Sequence, residues 1–246
     1  MNQKIKSSSY YNRAPILEAI LDFQVHLPEK ADLAKAIKLI KKEYPEENKI
    51  RQETTQIQLS EHGSTFTTNH ENIGYKLTST DKKRVVQIRN NGFSFSILGN
   101  YESWDAFLKT AQALWEIYHQ KLKPVRVNRV AVRYINRIDI PELKFDLENY
   151  FYTYPNIFKN NQADISAFFM QVQIPQKEGG MAILNQSIAP PPNPGYTSII
   201  LDIDVFDLKN FEPNGKELWD RIEKLREQKN IVFEQSITDE TRKLFS

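Results

Sequence analysis

The sequence predicts an α+β protein of two similarly ordered halves, each running strand, helix, antiparallel meander, long helix. Three observations carry that class. Two long segments, Pro15–Pro28 and Val127–Ile140, alternate apolar and polar residues and open the two halves. Each is followed by short β-branched and aromatic runs separated by turn residues. Each half closes on an amphipathic helix, about Ser103–Gln120 and about Gly215–Lys229.

In Pro15–Pro28 the odd positions Leu17, Ala19, Leu21, Phe23, Val25 and Leu27 are apolar, while the even ones include Glu18, Asp22, Gln24 and His26. Successive strand side chains point to opposite faces, so one face is buried and the other carries a polar row. A helix is expected around Ala31–Glu43, with Leu33, Ile37, Ile40 and Tyr44 on one stripe. Pro45, which lacks an N–H, stops it. Strands are expected at Glu53–Leu59, Thr65–Thr68, Gly74–Ser79, Arg84–Arg89 and Phe93–Leu98. Turn chemistry at His62-Gly63, Thr80-Asp81 and Asn90-Asn91-Gly92 divides them. The helix that follows sets Trp104, Phe107, Leu108, Ala111, Leu114, Trp115 and Tyr118 on one face, and Pro124 ends the half.

The second half begins with Val127–Ile140. Val130, Val132, Tyr134, Ile138 and Ile140 share one side, and Arg129, Arg133 and Arg137 share the other. A short helix at about Leu147–Tyr152 follows, then strands at Ile165–Ile174, Met181–Ile188 and Thr197–Phe206. The closing helix turns Leu218, Trp219, Ile222 and Leu225 inward, and Thr238 caps a last short helix whose Leu244 and Phe245 dock on the body. The organisation expected is a disordered lead-in over 1–12 and halves at 13–124 and 125–246 within one compact body. The halves share negligible identity, so the internal duplication rests on element order. Helix-backed curved sheets in this order resemble the TATA-binding-protein-like and helix-grip folds.

Composition narrows the function classes. Thirty-three basic and 31 acidic residues give a net charge of +2, so no global charge favours nucleic acid or a membrane. The absence of cysteine excludes disulfides, thiolate chemistry and cysteine-held metals. No apolar run approaches the roughly 20 residues that span a bilayer, and Met1–Ser9 lacks a signal-peptide core, so no membrane partner and a cytoplasmic address are expected. Walker A, the dinucleotide glycine fingerprint and the Gly-x-Ser-x-Gly elbow are all missing. His26, His62, His70 and His119 have no metal-ligand spacing. The expectation is a protein without a cofactor or metal that leans away from an enzyme, with a carboxylate–arginine site of Glu18, Asp22 and Arg133 as the enzymatic alternative.

The arginine row is the sharpest chemical feature. Arg129, Arg133 and Arg137 lie on one strand face at intervals of roughly 13 Å, and guanidinium forks suit phosphates and carboxylates. Glu18 and Asp22 on the other long strand can pair with them if the two strands are neighbours. Asp202 and Asp204 project together from their strand and offer further partners for the arginines, or the start of a cation site. Pro190, Pro191, Pro192 and Pro194, with Tyr196, form a stiff segment suited to contacting a protein or to connecting strands. Tyr150-Phe151-Tyr152-Thr153-Tyr154-Pro155 and Ile157-Phe158 are read first as core packing under the second sheet, with lining a pocket or stacking bases as the alternative.

Three motifs together resemble an uncharacterised family of prokaryotic proteins described as sporadically distributed. They are Ala14-Pro15-Ile16-Leu17-Glu18-Ala19, Val132-Arg133-Tyr134-Ile135-Asn136-Arg137-Ile138, and the Leu218-Trp219 helix with Phe233-Glu234-Gln235-Ser236-Ile237-Thr238. The resemblance implies no established activity. Patchy distribution goes with defence, immunity or toxin–antitoxin roles. The reading expected on these grounds is a non-catalytic protein-binding module, and the alternative is nucleotide or nucleic-acid binding by the arginine face. Oligomeric state is open.

Overall fold

The computed structural model describes residues 11–60, 63–144, 146–155 and 165–245. Among them nine strands form one sheet: β1 (Ile16–His26), β2 (Glu46–Ser60), β3 (Gly63–Thr78), β4 (Arg84–Arg89), β5 (Gly92–Leu98), β6 (Arg126–Ile140), β7 (Phe169–Pro175), β8 (Met181–Ala189) and β9 (Thr197–Asp207). Their order is β2-β3-β4-β5-β1-β6-β9-β8-β7, and the sheet is antiparallel. The described helices are α1 (Ala34–Ile40), α2 (Trp104–Leu122), α3 (Leu147–Tyr150), α4 (Lys216–Ser236) and α5 (Asp239–Lys243). The class is α+β, as predicted. Among the described residues no helix is long and apolar enough to cross a membrane.

The chain divides into two compact units. One comprises Phe23–Asn128 with Glu212–Asn214; the other comprises Met1–Asp22, Arg129–Phe211 and Gly215–Ser246.

The unit holding Phe23–Asn128 is organised by aromatic rings. Phe23 meets Trp115 edge-on at 4.6 Å, and Phe93 lies 5.6 Å from Trp115 and 5.5 Å from Tyr118. All four rings are buried, and each contributes roughly 1.5–3 kcal/mol relative to an exposed ring. The Trp115 indole donates to the Pro213 carbonyl at 3.0 Å, and the Tyr118 hydroxyl donates to the Arg89 carbonyl at 3.2 Å. Ser103 starts α2 by accepting the Ala106 N–H at 3.2 Å. The first helix is shorter than expected. Of its periodic end residues, Leu33 is the N-cap of Ala34–Ile40 and Tyr44 lies past the turn that follows Ile40.

The meander also differs. The segments expected at Thr65–Thr68 and Gly74–Ser79 are one strand, β3, which pairs with β2 along its whole length. The polar stretch Asn69–Asn72 reads as a break because it has no buried alternation. It is strand nonetheless, since Arg51–Thr55 and Thr68–Asn72 are exposed on both faces of the hairpin. The register shifts after Ile50↔Gly74, leaving Ile73 as an extra residue, and β4 pairs with β3 only from Gly74 onward. Gly74 is required there: a Cβ would stand 2.4 Å from the Ile88 carbonyl oxygen and 2.8 Å from Arg89 Cα. His62, of the expected His62-Gly63 turn, lies outside the described residues.

In the other unit, the core face of β6 (Val130, Val132, Tyr134, Ile138, Ile140) continues into Ile199, Leu201, Ile203 and Val205 of β9 and Ala182 and Leu184 of β8, all buried. Helix α4 packs on β9 through Leu218, Ile222, Leu225 and Val232. It continues to Ser236, so Phe233–Ser236 belong to this helix and not to a separate segment. Arg221 grips the β7–β8 turn, donating to the Gly179 carbonyl at 2.6 Å and to Asp207 at 2.7 Å. The Thr238 side chain accepts the Thr241 N–H and caps α5. Phe245 is buried beside Tyr11 (5.4 Å) and Phe233 (6.4 Å). Of the expected lead-in, residues 1–10 lie outside the described set, but Tyr11 is docked, donating to Glu234 at 2.9 Å.

The aromatic run around Tyr150 corrects the expectation of core packing. Phe151 is fully buried, but Tyr152 is 65% exposed. Tyr150 and Tyr154 direct their hydroxyls to Glu142 and Glu148 at 2.8 and 3.1 Å. Alternation in an extended segment lets one ring of a consecutive set reach the core. Ile157 and Phe158 lie outside the described residues.

Candidate functional site

The second unit brings the arginine row, the acidic residues and the proline loop onto one face and one end of its strands. The register sets Arg133 opposite Asp204 and Arg137 opposite Ile200. Each guanidinium leans along β6 toward its C-terminal end. Arg129 reaches Asp204 (2.7 Å) and Asp22 (3.2 Å). Arg133 forks onto Asp202 with bonds of 2.8 and 2.7 Å. Arg137 donates to Asp139 (2.9 Å), to the Ser198 hydroxyl (3.2 Å) and to the Pro190 carbonyl (3.0 Å). Asn185 then donates to Asp202 at 3.1 Å and Gln171 to Asn185 at 2.8 Å, carrying the network to β7.

Asp22 therefore pairs as the alternation proposed. Glu18 does not: it makes no ion pair among the described residues and acts on Arg133 through its field alone. Asp202 and Asp204 are both engaged by guanidiniums, and among the described residues no cluster of metal-ligating side chains occurs. Sequence reasoning missed Asp139, Ser198, Asn185 and Gln171. Asp139 was readable from parity, two residues past Arg137; the others depend on cross-strand register, which a single segment does not encode.

The electrostatics follow from burial. Burial pushes the Asp204 carboxyl above its usual range, against the lowering pull of Arg129 and Arg133. Its Oδ1 has no hydrogen-bond partner among the described residues. The fork onto Asp202 raises the Arg133 guanidinium further above its already high value. Glu18, Asp22, Asp139, Asp202 and Asp204 outnumber the three guanidiniums on this face, so an incoming phosphate would have to displace a carboxylate and meet net negative charge.

Arg137 also ties the network to the Pro190–Tyr196 loop. Pro190 is held by its carbonyl, and everything from Pro190 to Tyr196 is exposed. Gly195 takes φ +86°, a conformation that favours glycine, to turn the chain into β9. Phe169 pairs with Ser187 near the same end of β8, on the terminal strand, and is 71% exposed. Stiff prolines, Tyr196 and Phe169 thus border one end of the ion-paired face.

Fold and site define an α+β protein whose polar sheet face is laced by its own ion pairs, with the Arg133 side chain still 41% exposed, and which also presents loops and strand edges. No protein-family model matches the chain, and no characterised protein matches it in sequence.

Proposed function

We propose that the chain is a non-catalytic protein-binding module of the antitoxin, immunity or defence-accessory kind, working in the cytoplasm by occluding a partner's surface. The observation that carries the reading is the pairing of an exposed, proline-stiffened loop with a rigid base: Arg137 fixes Pro190 while Pro191–Tyr196 stand in solvent. A loop ordered before binding loses little entropy on contact. The β7 edge beside it, with exposed Phe169, suits an extended segment that adds a strand. Engagement of the arginines by carboxylates weighs against the phosphate-binding alternative.

The resemblance to sporadically distributed prokaryotic proteins stands as part of the same proposal, as does internal duplication with a TATA-binding-protein-like or helix-grip-like topology. Duplication draws support from the sheet order, in which β1 neighbours β5 and β6 neighbours β9, each opening strand beside the last strand of its own half.

The test is purification of the full chain from its source cells, with mass spectrometry of bound protein and nucleic acid. One protein in stoichiometric amount is expected. It should be lost when Pro191–Pro194 are replaced by a glycine–serine turn or Phe169 by Asp, with the urea midpoint unchanged. Retention of the partner by both variants, or recovery of nucleic acid instead of protein, would overturn the proposal.

A further inference from the structure

The two terminal strands of the sheet are protected very differently. β7 is short and ends on Pro175. β2 runs from Glu46 to Ser60 without a proline, and its residues from Glu46 to Thr55 are exposed apart from the half-buried Ile50. Long unblunted edges present rows of backbone donors and acceptors to any strand that fits. Past Gly74, the hairpin of β2 and β3 has no third strand among the described residues. Its contacts are cross-strand pairs such as Glu53 with His70 (3.1 Å) and Thr55 with Thr68 (3.2 Å). A ribbon of two strands is marginal in water, and three or more are needed for stability.

We propose that a second copy of this chain supplies the missing strand, with β2 pairing antiparallel to β2 of that copy about a two-fold axis perpendicular to the sheet. The charges select this occupant and its register. Glu47, Lys49, Arg51 and Glu53 share one face of β2 in the order acidic, basic, basic, acidic, so the register decides whether like or opposite charges meet. Centring the pair on Gln52 sets Arg51 opposite Glu53 of the second copy, twice by symmetry, with Lys49 opposite Thr55 and Ile50 opposite Thr54. Centring on Ile50 sets Glu47 against Glu53 and Lys49 against Arg51. Centring on Lys49, Arg51 or Glu53 sets that charge against itself. Centring on Asn48 matches Glu47 with Lys49 but brings Pro45 opposite Arg51, which ends the ladder there. The Gln52 and Thr54 registers are the longest that oppose no like charges, and of the two only the Gln52 register sets opposite charges against each other. It turns two free two-stranded ribbons into one of four strands, an isologous contact of the commonest kind among homo-oligomers. It rests on a different strand from the protein-binding proposal, so either can fail alone.

The test is sedimentation velocity on the full chain over a concentration series at pH 8, above the ordinary histidine range. The expected result is a reversible dimer. Arg51→Glu should weaken it about tenfold or more, because two attractive cross-strand pairs become repulsive. The swap R51E/E53R should restore it, while urea midpoints confirm that each variant is folded. A wild-type chain that stays monomeric throughout, an Arg51→Glu dimer as tight as wild type, or a swap no tighter than the single variant would each overturn the proposal.

Discussion

Replacing Arg129 by Leu should be the most damaging single change on the polar face. Its guanidinium joins β6 to carboxylates of β1 and β9, Asp22 at 3.2 Å and Asp204 at 2.7 Å, and lies 4.6 Å from the centre of the Phe206 ring. Leucine keeps most of the apolar stem but takes from Asp22 and Asp204 the guanidinium that both of them contact. Removing one member of a fully buried ion pair costs about 3–5 kcal/mol. Here the side chains are 15–21% exposed, so residual hydration offsets part of that, and a loss of about 2–4 kcal/mol is expected. The loss should depend on pH with a defined sign. Asp204 already sits above its ordinary pKa, and the variant removes the larger of the two guanidinium pulls that lower it. A carboxyl raised in the folded state contributes stability that is full below its unfolded pKa and lost as pH rises through the folded one. The deficit should therefore be largest at neutral pH and shrink on acidification through the raised pKa. Urea unfolding at pH 7 and at about pH 4.5 measures both quantities. A cost under about 1 kcal/mol at pH 7, or an equal cost at both pH values, would refute the account.

Gly74→Ala should cost about 1–3 kcal/mol by urea unfolding, because the added methyl meets backbone atoms of β4 that cannot yield. Lys229 is 7% exposed with its ammonium 3.7 Å from the Tyr134 ring centre, and burial lowers its pKa to about 7. The unfolded chain binds a proton at this position from pH 7 to pH 10 that the folded chain releases, so wild-type stability should rise over that interval. Lys229→Met should flatten the rise and raise stability near pH 7 by an amount on the order of a few kcal/mol, checked by chemical denaturation across that range.

The features legible in the sequence were those with a short-range period. Alternation located β1 and β6 and assigned the arginines and Asp22 to the polar face. The Trp104–Tyr118 stripe located α2. Where burial does not follow a period, the reading stopped early. The closing helix reads to about Lys229, where α4 in fact runs on to Ser236, and Gln228, Lys229 and Ser236, polar residues that mark no apolar stripe, are all buried. Asn136 shows why polarity alone misleads. It faces the core and is satisfied there by the Leu201 carbonyl at 3.0 Å, a bond that depends on register with a strand 65 residues away. The polar hairpin failed in the opposite direction, since a strand exposed on both faces carries no alternation to detect.

The division of β1 between the two units has a consequence for biosynthesis. Its first part, through Asp22, belongs with elements that begin at Arg129, while Phe23 onward belongs with the segment between. A ribosome delivers Asp22 long before Arg129 and later still Asp204, and Arg13 finds its backbone acceptor only in Phe245. The middle unit can gather most of its aromatic core early, with the Trp115 indole awaiting Pro213, but the other unit must wait until residues as late as Phe245 have been made. Such distant pairings are slow to close. A nascent chain stalled before Thr197 would hold Asp22 and Asp139 but lack Asp202 and Asp204, leaving the Arg133 fork without its carboxylate and exposed to whatever in the cell binds that charge.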